Sequence, residues 1–174
     1  MIYYNIGDIL IRDMTDADPQ IITNEEIAQG WIHQKIEKYT QRLKDASEGK
    51  CIALVAEYKG YVAGYFNVYP NSKNGPFGGK GLPELVDFGV LKKYRNNGIG
   101  NILMQIAENI AKQYADVVYL GVGLHKDYGA AQRMYIKHGF IPDGSGLWWN
   151  DTNLEPYADM KNDDCTAIYM SKKL

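Results

Sequence analysis

Apolar and polar positions change their period several times along the 174-residue chain. From Asp8, DILIRDMT alternates apolar and polar residues and predicts a first strand. Thr23-Asn24-Glu25-Glu26 has the form of a capping box and predicts the opening of a helical region that runs towards Ser47. Ile27, Trp31, Ile32, Ile36, Tyr39 and Leu43 keep helical spacing there, and Gly30 is the expected break into two helices. CIALVAEYKGYVAGYFNVYP reads as two strands with a turn at Lys59-Gly60. NSKNGPFGGKG is a Gly-rich loop, expected to be mobile, and ELVDFGVL after it is another strand. A helix follows YRNNGIGNILM, with Ile99, Leu103, Ile106, Ile110 and Tyr114 on its inner face. VVYLGVGL is a continuous apolar run, the mark of a buried strand. DYGAAQRMYIKHG reads as a helix that Gly139 ends. FIPDG and a polar stretch from Ser145 to Asp164 follow, and CTAIYMSKK closes as a strand. The order β, helices, β, β, β, α, β, α, β, β predicts one α/β domain with a mixed sheet, spanning residues 1–174.

Composition narrows the function classes. The net charge of −2 supplies no basic field for nucleic acid. No apolar run approaches the roughly 20 residues of a membrane helix. MIYYNIGDILIRD lacks the basic start and apolar core of a signal sequence, so a cytoplasmic protein is expected. Cys51 and Cys165 lie in apolar, strand-like segments and are expected to be buried free thiols.

The stretch from Tyr94 to Met104 carries the most specific signal. Glycines permit close approach of a ligand to the backbone, and a helix start presents N–H groups without intrahelical partners. Together they suit an anion, above all a phosphate. A P-loop would need Lys and Ser/Thr after its last glycine, but Asn101 and Ile102 follow Gly100. A dinucleotide fingerprint would need a third glycine where Leu103 stands, and an acid at the end of the next strand, which VVYLGVG lacks. The plain alternative is a tight turn that begins a helix and binds nothing. Three features favour a ligand: Lys92, Lys93 and Arg95 beside the helix start, no Asp or Glu from Gly98 to Gln105, and a position directly after a strand.

VLKKYRNNGIGNILM resembles the acetyl-CoA-binding motif of the GCN5-related N-acetyltransferase (GNAT) family, through Arg95, Asn96, Asn97, Gly98, Ile99 and Gly100. AAQRMYIKHGF is similar to the family's second signature, and the two occur in the family's order. The resemblance implies a mixed, mostly antiparallel sheet of about seven strands flanked by about four helices. It implies acetyl-CoA as co-substrate, no metal, and direct transfer of acetyl to an amine in a ternary complex. Backbone N–H groups from Asn96 to Gly100, with Asn101 in the same turn, would hold the pyrophosphate. Val90 and Leu91 match the strand end that pairs with the pantetheine arm. Tyr128 stands where many relatives carry an Asn that helps hold the cofactor, three residues before Ala131, so that contact is altered here.

Acetyl transfer also needs an acid for the leaving thiolate and a base for the incoming ammonium. Tyr135 occupies the family's tyrosine position and is the expected acid, its phenol having an ordinary pKa of about 10. A core tyrosine is the plain alternative. Glu84 and Asp87 are the candidate bases, either acting directly or through water. Their odd spacing sends them to opposite faces of a regular strand unless a bulge intervenes. A solvated loop-end residue and a hydrogen-bonded structural acid are the respective alternatives.

The remaining candidates divide less sharply. His33, His125 and His138 have no metal-ligand spacing, and neither cysteine reads as a covalent nucleophile. Trp31, Tyr65 and Tyr69 fit an acceptor pocket or the core. Trp148 and Trp149 fit a cap on the acceptor site, a homodimer interface or ordinary packing. The acceptor is expected to be the amine of a small cationic molecule or of a peptide. The competing reading is a non-catalytic acyl-CoA-binding or sensing domain, which would need neither Tyr135 nor the two acids.

Overall fold

The computed structural model describes residues 1–33 and 35–174. These fall into two compact units: residues 1–69 with 86–110, and residues 70–85 with 111–174. Seven strands have five or more residues, three have two, and four α-helices accompany them among the described residues. This is a mixed, mostly antiparallel α/β fold.

In the first unit, β1 (Ile2–Ile6), β2 (Ile9–Asp13), β3 (Ile52–Tyr58), β4 (Tyr61–Tyr69) and β5 (Glu84–Val90) lie side by side in that order. The β1–β2, β2–β3 and β3–β4 pairings are antiparallel. DILIRD is therefore the second strand. The first escapes the pattern because Ile2 and Ile6 are apolar yet exposed, so no alternation marks it. The expected turn is present, with Lys59 and Gly60 at φ +53° and +81°, a backbone twist that matches the flanking strands.

Helix α1 (Asp18–Ala28) starts five residues before the predicted capping box. Pro19 sets its first turn, and the Asp18 carboxylate accepts from the Thr15 N–H and hydroxyl and from Arg12. Thr23 is thus mid-helix, with its hydroxyl donating to the Pro19 carbonyl at 2.7 Å. Gly30, at φ +96°, ends this helix as expected. Trp31 and Ile32 fall outside both helices, and Ile32 is exposed. Helix α2 (Ile36–Ser47) resumes after position 34, which lies outside the described residues. Met14, Ile22, Tyr39, Cys51, Ala53, Val55, Val62 and Tyr65 form one buried cluster. Helix α3 (Ile99–Ala111) buries Ile99, Leu103, Met104, Ala107 and Ile110, whereas Ile106 is half-buried and Tyr114 lies beyond the helix.

In the second unit, Glu84 and Leu85 of β5 pair in parallel with Tyr119 and Leu120 of β6 (Val117–Gly123). The last long strand pairs antiparallel with β6 and also holds three short segments, β7 (Ile141–Pro142), β8 (Trp148–Trp149) and, through β8, β9 (Thr152–Asn153). That strand, β10, runs Thr166–Lys173, so Cys165 precedes it and is exposed rather than buried. Helix α4 (Gly129–Lys137) ends with Gly139 at φ +87°. The loop of residues 70–83 is tied down by hydrogen bonds along its length. Ser72 donates its hydroxyl to Glu84, Asn74 accepts from Tyr119 Oη, and the Gly75 N–H donates to Asp151.

Candidate active site

The phosphate-binding candidate is assembled in the first unit. Leu91 leaves β5 with its N–H donating to Ala63 O at 2.9 Å. A short 3-10 turn, Lys92–Tyr94, carries the chain to Arg95. Asn97 Nδ2 then donates to the carbonyls of Tyr94 and Arg95, folding the loop back on itself. Asn96 and Gly98 adopt φ +65° and +80°, and α3 starts at Ile99. No acid occupies its first turn, and the opening N–H groups of a helix point out along its axis. A Cβ at Gly98 would meet nothing within 4 Å, so the backbone faces open space where an anion would sit. Donors, dipole and room all fit a diphosphate. The nearby cations are more committed than their positions in sequence suggest. Lys93 pairs with Glu25 at 2.6 Å, Lys92 Nζ donates to Gln29 O, and Arg95 Nε donates to Val90 O while its guanidinium lies over Trp31. These three cations thus already hold partners within the protein.

Asp87 lies on β5 four residues before Leu91, at φ +56°. The sequence-based parity between Glu84 and Asp87 assumes a regular strand, and this left-handed residue breaks it. Asn67 Nδ2 donates to Val86 O at 3.2 Å, so a side chain props the irregular backbone. Arg42 Nε and Lys38 Nζ approach the two Asp87 oxygens at 2.6 and 3.2 Å. Burial acts most strongly on Asp87 and opposes its charge, yet Lys38 and Arg42 overcome it and hold the carboxyl below the usual range. Asp87 is thus an ionised, ion-paired acid.

Glu26 is a buried carboxylate that its sequence position marks only as part of a capping pattern. Tyr39 and Tyr65 both donate their hydroxyls to it. Burial pushes its pKa up, and those two hydrogen bonds oppose the shift without cancelling it. Its partners lie 13 and 39 residues away in the chain, so no local motif could have shown them.

The second unit holds the other candidates. Glu84 is buried, not solvated, and accepts from Ser72 Oγ. Burial, then the charge of Glu84, raises the pKa of both Tyr119 and Tyr169. Tyr135 is buried on α4, with its ring edge-on to Phe140 at 6.0 Å. Tyr128, in the position of the family's Asn, donates to Asp164, which also bonds His125 Nε2 at 2.8 Å. A Cβ at Gly123 would lie 2.4 Å from the Tyr128 ring, so a glycine makes room for that ring. Ala131 lies in the first turn of α4. Trp148 is half-buried, edge-on to Tyr169, and its indole N–H donates to Ser145. Trp31 belongs with Arg95, Tyr65 with Glu26, and Tyr69 with Arg42 and Asp45. Among the described residues no cluster of three or more His, Cys, Asp or Glu is arranged to hold a metal ion. No described helix is long and apolar enough to cross a membrane.

Comparison with known proteins agrees with this geometry. The family model described as "Acetyltransferase (GNAT) family" matches residues 12–140. Arabidopsis thaliana Naa50, solved in complex with the bisubstrate analogue CoA-Ac-MVNAL, is 18% identical with a TM-score of 0.65, over 97% of this chain and 100% of that one. A ribosomal-protein-alanine N-acetyltransferase from Brucella melitensis is 22% identical with a TM-score of 0.65, over 95% and 99%. The putative acetyltransferase yncA from Salmonella typhimurium, solved with its cofactor acetyl-CoA, is 17% identical with a TM-score of 0.66, over 96% and 94%. At these identities the likeness speaks for the fold. No curated protein sequence matches the chain. The family match, the loop at Arg95–Gly100 and the strand–helix order converge: this chain belongs to the GNAT family of acetyltransferases.

Proposed function

We propose that the protein transfers acetyl from acetyl-CoA directly to a primary amine of a small molecule or peptide, in a ternary complex. The observation that carries this reading is the open helix start at Asn96–Gly100, in a chain of the acetyltransferase family. N–H groups from Asn96 to Asn101 would receive the pyrophosphate, with Arg95 bracing the loop. Val90 and Leu91 would align the pantetheine arm, and Tyr128 and Ala131 would flank it. Bound acetyl-CoA supplies the activated acyl carbon and a thiolate leaving group. Tyr135 gives the thiolate its proton. Glu84 takes the proton that nitrogen sheds as the C–N bond forms. Asp87, held ionised, keeps Lys38 and Arg42 in place. The unpaired thiols of Cys51 and Cys165 suit a reducing cytoplasm.

The test is thiol release from acetyl-CoA in the presence of a panel of amines, with calorimetric titration alongside. Release with one amine class supports transfer and names the class. Tyr135→Phe is expected to keep acetyl-CoA affinity and lose at least about tenfold in turnover. Unchanged turnover removes Tyr135 from the mechanism, and binding without release by any amine favours a sensing domain.

A further inference from the structure

Acetyl transfer leaves Glu26, a buried acid of the first unit, without a task. Glu26 points inward from α1, 0% exposed. Tyr39 from α2 donates to its Oε2, and Tyr65 from β4 donates to its Oε1. The two phenol oxygens are 3.3 Å apart and the rings meet edge to face at 5.2 Å. The other charged groups around Glu26 are Lys38 from α2 and Asp87 from β5, with Arg42 on the far side of Asp87. A carboxylate this deep is ordinarily stabilised by a cation. Here both nearby cations are drawn to Asp87, and Glu26 keeps only phenols. That arrangement leaves its carboxyl more basic than usual, burial being the cause.

Tyr65 packs its hydroxyl end against β5. A Cβ at Gly89 would lie 2.3 Å from Tyr65 Cζ and 2.5 Å from Tyr65 Oη. No side chain fits at 89 while that phenol is in place, so the strand gives up its side chain where Tyr65 arrives. Gly89 directly precedes Val90 and Leu91, the positions proposed to align the acyl arm. The Tyr65 hydroxyl, only 4% of that residue being exposed, thus lies between Glu26 and the stretch of β5 proposed to align the acyl arm.

We infer that Glu26, acting through Tyr65, takes the first proton from the incoming ammonium. This rests on the acetyl-transfer reading above. One ammonium proton moves to Tyr65 Oη as the Tyr65 hydroxyl proton moves to Glu26 Oε1. The freed nitrogen lone pair attacks the thioester carbonyl carbon, the C–N bond forms and the C–S bond breaks. Nitrogen sheds a second proton, the departing thiolate takes up one, and Glu26 gives up the first by the reverse path through Tyr65 once the product has left. The balance is one amide, one thiol and one proton released per turnover. Tyr65 meets the amine, and Glu26 is the positioning group behind it. Tyr39 holds the second Glu26 oxygen.

The decisive experiment follows thiol release from acetyl-CoA with the alkyl amine that the wild type uses best. Wild type, Glu26→Gln and Tyr65→Phe are compared from about pH 7 to about pH 10, where such an amine, of pKa about 10.4, increasingly sheds its own proton. Both variants are expected to be at least about tenfold slower at neutral pH and within about twofold of wild type at the alkaline end, with acetyl-CoA affinity unchanged throughout. A deficit of the same size at every pH, or no deficit, overturns the relay, because a packing defect does not depend on the protonation of the substrate. If Glu26→Gln fails to fold, Tyr65→Phe decides alone, since it keeps the ring and removes only the hydroxyl. A wild type that releases no thiol with any amine overturns the transfer reading and the relay together. Normal wild-type turnover with a flat deficit overturns the relay alone.

Discussion

Glu26 and Asp87 lie in the same unit, largely out of water, and their surroundings push them in opposite directions. Asp87 has two cations within 3.2 Å, which outweigh its burial and keep it charged. Glu26 has two phenols, which satisfy its oxygens without supplying charge, and burial prevails. At Glu26 two hydrogen bonds do not offset burial, whereas at Asp87 two ion-paired cations do. The difference fits the tasks proposed for them, an anchor for the charged acid and a proton acceptor for the more basic one.

Removing the cations is the strongest way to break this contrast. Arg42→Met leaves Asp87 with Lys38 alone and strips a donor from Tyr69. Chemical denaturation is expected to show a loss of roughly 2–3 kcal/mol, the scale of a charged hydrogen bond removed from a shielded acid. A loss below about 0.5 kcal/mol would mean that the pair behaves as an ordinary surface ion pair.

The pH dependence of stability sharpens the contrast with a smaller effect. The folded pKa of Asp87 is depressed, so its contribution is present above its unfolded pKa and disappears as pH falls through the folded value. The folded pKa of Glu26 is raised, so its carboxyl favours the folded state below the unfolded value, and that advantage declines as pH rises to the folded one. Each slope is bounded by one proton, about 1.4 kcal/mol per pH unit. Asp87→Asn should flatten the acid limb of the stability curve, and Glu26→Gln should flatten the decline on its less acidic side. Denaturation midpoints across pH read both. The same limb changing in both variants would contradict the opposite assignments.

These two acids also mark where sequence reasoning ends. The turn at Lys59-Gly60, the helix stop at Gly139 and the loop Arg95–Gly100 are legible because each depends on residues a few positions apart. Helix α1 starts at Asp18, because Pro19 and Asp18 outweigh the capping pattern that begins at Thr23. Strand β1 is obscured by the exposure of Ile2 and Ile6. Asp87 is visible as an acid amid apolar residues, but its positive φ and its two cations, 45 and 49 positions away, are not. The Glu26–Tyr39–Tyr65 network needs three elements to converge, and nothing in the spacing of those residues announces it.

The central claim is that the helix start at Asn96–Gly100 holds coenzyme A, and Gly98 tests it most directly. Its backbone is left-handed, a conformation that Asp tolerates better than most side chains, and a Cβ there meets no protein atom within 4 Å. Gly98→Asp can therefore fold while placing a negative charge in the cradle. Calorimetric titration with acetyl-CoA is expected to show binding by the wild type and none by a folded Gly98→Asp variant. Equal affinity in the two proteins would contradict the assignment and leave the loop as a turn that begins a helix.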